Sequence, residues 1–355
     1  MARHDPLDDV ALDPGLEGLD DRPRGRDRGR FWSRLRGVAA AFGGRLVSGE
    51  RRAWRWTKRV VLALVVLLVA YYGIGAVVVH DIDDDVAFTP PAVTEGGSEA
   101  IDTAAALIFR EIDANGWTAN DPFFLPGWVL DNMPNFQQGI IYALSRFTAE
   151  MADQVGRARG SSQVDPDLDR ASGLLRYPGD RWYFDFSAGL APQAPAESQY
   201  REAARRLLAY NERLVSGDAV FDRRADNLLR TLDRIAADLG SSSAVIADHI
   251  AADEAFLLNF RSDDIYYATK GRLYGYAMVL EALGRDFADV IAATGLQAVW
   301  AQMIESLKTA AALQPLVVTS GAPDSQTMPS HLAAQGFFLL RARTQLREVS
   351  NVLAN

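Results

Sequence analysis

VVLALVVLLVAYYGIGAVVV, residues Val60 to Val79, is twenty consecutive residues without a charge. At a helical rise of roughly 1.5 Å per residue, that run spans a hydrocarbon core of about 30 Å. A soluble helix of this length keeps a polar face, and this one has none, so the run is expected to cross a membrane. Arg51, Arg52, Arg55, Lys58 and Arg59 crowd its N-terminal flank, while Asp81, Asp83, Asp84 and Asp85 follow its C-terminal end. That asymmetry predicts a cytoplasmic N-terminus and an exported C-terminal part. Trp54 and Trp56 join the five basic residues as membrane-interface anchors, and Tyr71 and Tyr72 lie inside the run. The Arg51-Arg52 pair also suits a twin-arginine export signal. Against cleavage stand the late start at residue 60, the length of the run and the lack of an A-x-A site after Val79.

Working outward, charge divides the chain into three zones. Residues 1 to 21 carry seven acids against Arg3, residues 22 to 59 carry thirteen bases against Asp27 and Glu50, and residues 80 to 355 carry 37 acids against 23 bases. An acidic main domain repels phosphate-rich polymers, so nucleic acid is not an expected partner. Attraction to anionic inner-leaflet lipids belongs to residues 22–59. Residues 1–30 read as a disordered cytoplasmic tail. Residues 31–59 form a basic juxtamembrane segment in which Phe31, Leu35, Val38, Phe42 and Leu46 stand at helical spacing. An interfacial helix and a basic linker broken by Gly37, Gly43 and Gly44 are both open there. Arginine outnumbers lysine 34 to 3, a bias pointing to a GC-rich bacterial genome. The absence of cysteine excludes disulfides and thiolate chemistry.

Residues 80–97, with four aspartates and Pro90-Pro91, read as an acidic tether. Residues 98–355 then read as an all-α, multi-helix bundle, expected in the periplasm. Ser98 is placed to cap a helix that stops near Asn115-Gly116, and Pro134 suits the first turn of the next. Short and longer helices follow over 165–175 and 197–215. A stripe of Leu228, Leu229, Leu232, Ile235 and Leu239 is expected to end at Gly240, with Ser241 to Ser243 capping a separate helix through Phe260. Further helices are expected from Ser262 to Leu283, from Gly295 to Leu313, and from Ser330 to the end. In the last, Leu332, Leu339, Leu346 and Leu353 repeat at seven-residue intervals. RWYFDFS at 181–187 alternates as an extended segment with no visible strand partner.

The stretches DNMPNFQQGIIYALSRF (131–147), RWYFDFS (181–187), DNLLRTLDRIAADLGSSSA (226–244) and MPSHLAAQGFFLLRARTQLREV (328–349) resemble an uncharacterised family of proteobacterial proteins. In that family a domain of unknown function follows one membrane helix. The resemblance covers nearly all of the domain after the apolar run. It implies an inner-membrane protein facing the periplasm, and it implies no activity and no site residues. The first 59 residues are longer and richer in arginine than the family pattern.

Chemistry-bearing patterns are sparse. His249 with Asp253 and Glu254 could present metal ligands on one helix face, but His249 shares an apolar stripe with Val245 and Phe256 and reads as a core histidine. Tyr266 and Lys270 have the Y-x-x-x-K spacing of hydride-transfer enzymes, without the glycine-rich dinucleotide loop such chemistry needs. Gly271 and Gly275 on the same helix read as a close helix contact. Neither G-x-S-x-G nor S-x-x-K occurs. Asp180 and Asp185 flank Trp182 and Tyr183, a pattern compatible with paired carboxylates on a glycan. PFFLPGW at 122–128 is the most unusual loop: Phe123, Phe124, Leu125 and Trp128 must be buried as a core plug or offered to a partner or to lipid. Burial is the favoured expectation. No catalytic, cofactor-binding or metal-binding residue is assigned and no cofactor is expected. The leading expectation is a non-enzymatic scaffold or binding component of the cell envelope with a protein partner there. The alternatives are a cell-wall glycan hydrolase using paired carboxylates and an apolar-ligand (lipid) carrier gated by Phe123, Phe124 and Trp128.

Overall fold

The computed structural model describes residues 28–79, 82–158, 164–252, 260–315, 317–321 and 329–354. The expected disordered tail therefore falls almost wholly outside the described residues, as do Asp253, Glu254 and Phe256. The chain divides into two units between Leu67 and Leu68.

Helix α1, Arg28–Val79, carries the apolar run. Its backbone is helical throughout residues 31–59, where sequence left helix and linker open. Within the first unit, Val60 to Leu67 are exposed, and Trp54 and Trp56 are each 61% exposed. The Lys58 ammonium lies 5.0 Å from the Trp54 ring and the Arg59 guanidinium 6.0 Å from Trp56. Each pair sets a cation over an aromatic face. The segment from Ala53 to Val79 is long and apolar enough to cross a membrane.

The second unit is a helical bundle. In chain order it contains α2 (Glu99–Phe109) with a π-helical turn at Arg110–Ala114, α3 (Asn132–Ala158), α4 (Pro166–Leu175), a hairpin, α5 (Ala196–Ser216), α6 (Ala225–Ala252), α7 (Phe260–Asp286), α8 (Ala288–Ala293), α9 (Gln297–Ala311) and α10 (His331–Leu353). Periodicity explains most of them. Ile140, Leu144, Phe147, Met151 and Val155 bury one side of α3, and Leu228, Leu232, Ile235, Leu239 and Ile246 bury one side of α6. Leu332, Leu339, Ala342, Leu346 and Val349 of α10 are fully buried, with α10 packed on α6 and α9. Ser98 and Ser330 cap α2 and α10 by accepting from the amides of Ile101 and Ala333.

The bundle is built around α7. Tyr266, Leu273, Tyr274, Tyr276, Ala277, Met278 and Leu280 face different directions, and each is at most 2% exposed. Its most extensive partner is α3. There a Cβ on Gly271 would lie 2.0 Å from the Phe136 carbonyl oxygen, and one on Gly139 2.4 Å from that of Ala268. The two backbones touch where neither has a side chain. Tyr276 donates to Asp238 of α6 (2.9 Å), which also holds Arg146 of α3 (3.0 Å).

Three sequence expectations are corrected. Gly240 does not end a helix: α6 runs through it. Ser241 and Ser242 donate to the carbonyls of Ala237 and Asp238 four residues back, which satisfies them inside the helix, and Gly240 makes room for the Arg343 guanidinium. Residues 184–185 do have a strand partner, since β1 (Phe184–Asp185) pairs antiparallel with β2 (Ala191–Pro192). Alternation in so short a strand carries too little signal to reveal it. The additional helix α8 lies between two expected ones. Residues 82–88 of the acidic tether lie against the bundle, and their aspartates meet buried cations. Asp84 pairs with the Lys270 ammonium at 2.6 Å and Asp83 with the Arg110 guanidinium at 3.4 Å, while Ile82, Val86 and Phe88 pack on the core.

Three stability tests follow from this packing. Gly271→Ala is expected to lower stability by at least about 2 kcal/mol through overpacking. Gly173→Ala, at a helical site with nothing within 4 Å, is expected to raise it by about 0.5 kcal/mol. Asp84→Asn is expected to cost about 3 kcal/mol by leaving the Lys270 charge buried without its counter-ion. Thermal unfolding of the full-length chain in detergent reads all three.

Candidate functional site

Two aromatic-rich loops, far apart in sequence, meet in the second unit. The first follows α2. Asn115 and Gly116, the latter with φ of 75°, turn the chain, and Trp117 anchors it by donating to the Gly179 carbonyl at 2.8 Å and packing edge-on against Tyr200. Asn120, 5% exposed, donates to the Arg181 carbonyl (2.8 Å) and to Glu197 of α5 (2.7 Å). Asp121 folds over Gly127, where any Cβ would collide with its carboxylate. A short 3-10 turn at Pro126–Val129 closes the loop.

The second loop is the β1–β2 hairpin. Asp185 closes its turn by accepting from the Ser187 amide (2.8 Å), the Ser187 hydroxyl (2.6 Å) and the Ala188 amide (3.2 Å). These bonds hold its carboxyl below the usual range, helped by Arg181 at 4.0 Å. Gly189 and Leu190 both adopt positive φ, 68° and 64°. Glycine does so freely, but leucine does so at a cost of about 1 kcal/mol, and this leucine is exposed at the hairpin tip.

The loops join through their rings. Trp182 stacks on Phe186 with centroids 5.7 Å apart and planes 9° from parallel, and Phe124 meets Trp182 edge-on at 5.5 Å. Between them opens a cleft of about 580 Å³ lined by Asn120, Asp121, Phe123, Trp128, Asp180, Arg181, Trp182, Phe184, Asp185 and Gln193, among others. Asp180 and Asp185 thus line one cleft. The lining carboxyl with a raised pKa is Asp121, pushed up to about 6 by desolvation and then by the charge of Glu197.

Phe123, Phe124 and Trp128 do not plug the core. They are 59%, 41% and 58% exposed, and Val129, Tyr183, Phe184, Phe186 and Leu190 are exposed nearby in the two loops. Leu125 is half-buried. Loop 122–128 instead meets the last turns of α1. Tyr71 donates to the Phe124 carbonyl at 2.9 Å and Tyr72 to that of Phe123, and a Cβ on Gly75 would lie 2.5 Å from the Pro126 ring.

The other candidate patterns are structural. Lys270 is 1% exposed and donates to the carbonyls of Ala311 and Leu313 at 2.7 and 2.6 Å, capping α9, while Tyr266 donates to the Leu313 carbonyl at 3.0 Å. Burial lowers the Lys270 pKa against the pull of Asp84. His249 is buried and hydrogen-bonds Ser262 at 2.7 Å. Among the described residues no group of three or more histidine or acidic side chains could hold a metal ion. Sequence reasoning missed Asn120, Arg181 and Gln193. Only the shared aromatic bias of PFFLPGW and RWYFDFS hinted that the two loops belong together.

Titration of Asp121 gives a pH test. Its folded pKa lies above the ordinary aspartate value of 3.8, so the stability linked to its protonated form is present below about pH 4 and lost as pH rises through about 6. Asp121→Asn, which keeps an acceptor for the Gly127 amide, should therefore gain in melting temperature relative to wild type between pH 5 and 7. The gain should be on the order of 1 kcal/mol after allowance for solvent screening.

A family model described as "Uncharacterized protein conserved in bacteria (DUF2333)" matches residues 60–260, a span holding the apolar run and every residue of the cleft. No curated protein and no solved structure matches the chain.

Proposed function

The chain belongs to this family of uncharacterised bacterial proteins, and from that premise we propose a single-pass membrane protein whose helical domain rests its aromatic loops in the bilayer surface. The N-terminus lies in the cytoplasm and the domain in the periplasm, on the inner membrane, as a non-enzymatic scaffold or binding component of the envelope. The basic residues around Trp54 and Trp56 hold the inner face, and residues 22–59 attract its anionic lipids.

The observation that carries this reading is the docking of loop 122–128 on Tyr71, Tyr72 and Gly75. Tyr72 stands seven residues before the end of the apolar run, roughly 10 Å along a helix. That is the depth to which interfacial elements bury their apolar faces, about 5–10 Å. The exposed rings of Phe123, Phe124 and Trp128 then meet the boundary of headgroups and acyl chains, where aromatic residues concentrate. Leu190 supports the same reading. A strained, exposed leucine at a hairpin tip has no use in water and a ready one in lipid.

In nanodiscs, a spin label replacing Trp128 or Leu190 should be relaxed by oxygen, which partitions into lipid, more than by a water-soluble nickel chelate. A label at Phe337, exposed on α10, should show the reverse. Equal exposure of all three sites to the chelate would refute the membrane-resting domain. A reporter fused after Asn355 and active only in the cytoplasm would refute the topology.

A further inference from the structure

We propose that the cleft between the two aromatic loops binds a saccharide, with a ring against Trp182 and hydroxyls donated to Asp180. Two observations carry it, and neither depends on where the domain sits.

The first is the mixed lining. Asp180 and Asp185 accept, while Arg181 and Gln193 donate. A sugar hydroxyl does both and can bridge such a set. A cationic ligand offers no acceptor to Gln193, and it would meet the Arg181 guanidinium on the same wall. The second is shape. Flat aromatic faces beside polar groups suit a ring with one apolar face and a hydroxylated edge, and about 580 Å³ is of small-molecule size.

The cleft walls hold their own shape. Asp185 is fixed by the hairpin turn, Trp182 by its stack on Phe186, and Asn120 by bonds to two different elements. A pre-ordered site of this kind spares the ligand the cost of organising it.

The test is a fluorescence and calorimetric titration of the full-length chain in a detergent without a sugar headgroup, using chitotetraose, maltotetraose and tetramethylammonium as probes. A parallel arm uses nanodiscs with and without a glucosyl diacylglycerol. Saturable binding of either tetrasaccharide, weakened about tenfold by Trp182→Ala, weakened several-fold by Asp180→Asn and unchanged by Phe337→Ala, supports the proposal. Binding confined to discs holding the glycolipid, with the same variant pattern, also supports it and assigns the sugar to a lipid headgroup. Should Trp182→Ala fail to fold, the exposed-site variant Asp180→Asn decides. No saccharide binding in either arm, binding that survives both cleft variants, or binding of tetramethylammonium alone would overturn it. Because the detergent arm contains no bilayer, its failure leaves the spin-label result on membrane contact untouched, and the reverse also holds.

Discussion

A single buried ammonium ties the second unit together. Lys270 lies on the central helix, is 1% exposed, and gathers the Asp84 carboxylate and the two carbonyls that end α9. A charge in such a place is tolerable only when paired and fully hydrogen-bonded. The consequence reaches in two directions. Asp84 follows α1 closely in sequence, so its ion pair fixes the start of the domain against α7, and the carbonyls of Ala311 and Leu313 fix where α9 stops. A second buried cation, Arg110, repeats the arrangement nearby. It holds Asp83 and Glu111, and its guanidinium lies 5.0 Å from the Phe88 ring. Asp83 and Asp84 of the acidic tether are counter-ions of buried cations.

Around α7 the bundle alternates two kinds of contact. Against α3 the helices meet through glycine, which brings the backbones together and leaves little room for error. Against α6 they meet through hydrogen bonds that converge on Asp238 from Tyr276 and Arg146. The N-terminus of α2 is held by Asp286, the last residue of α7, which accepts from the Ser98 hydroxyl and the amides of Glu99 and Ala100. An anion at a helix N-terminus satisfies amides that the helix itself cannot. The two aromatic loops between these helices carry a cluster of exposed rings, Phe123, Phe124, Trp128, Tyr183, Phe184 and Phe186. The cleft arises from this one pairing of loops.

Helix α6 shows how local signals mislead. Glycine followed by three serines is a strong stop-and-cap pattern, yet the helix continues because its serines bond backward and its glycine admits Arg343. The hairpin shows the opposite failure. RWYFDFS reads correctly as extended, but its partner Ala191-Pro192 is two residues long and has no strand character of its own. In both cases the deciding atoms belong to residues distant along the chain or to bonds too few to leave a pattern.

What the sequence determined alone was everything periodic or contiguous: an uncharged run of membrane length, the charge step across it, the all-α class, and the buried stripes of α3, α6 and α10. These are legible because burial on one helix face repeats every three or four residues, and bilayer crossing demands an unbroken apolar stretch. Tertiary structure decided that Phe123, Phe124 and Trp128 lie outside the core, that Asp84 neutralises Lys270 across 186 positions of chain, and that residues near 120 and 180 enclose one cleft. These depend on which distant segments touch, and a pairing made once, between two irregular loops, has no period for a sequence to display.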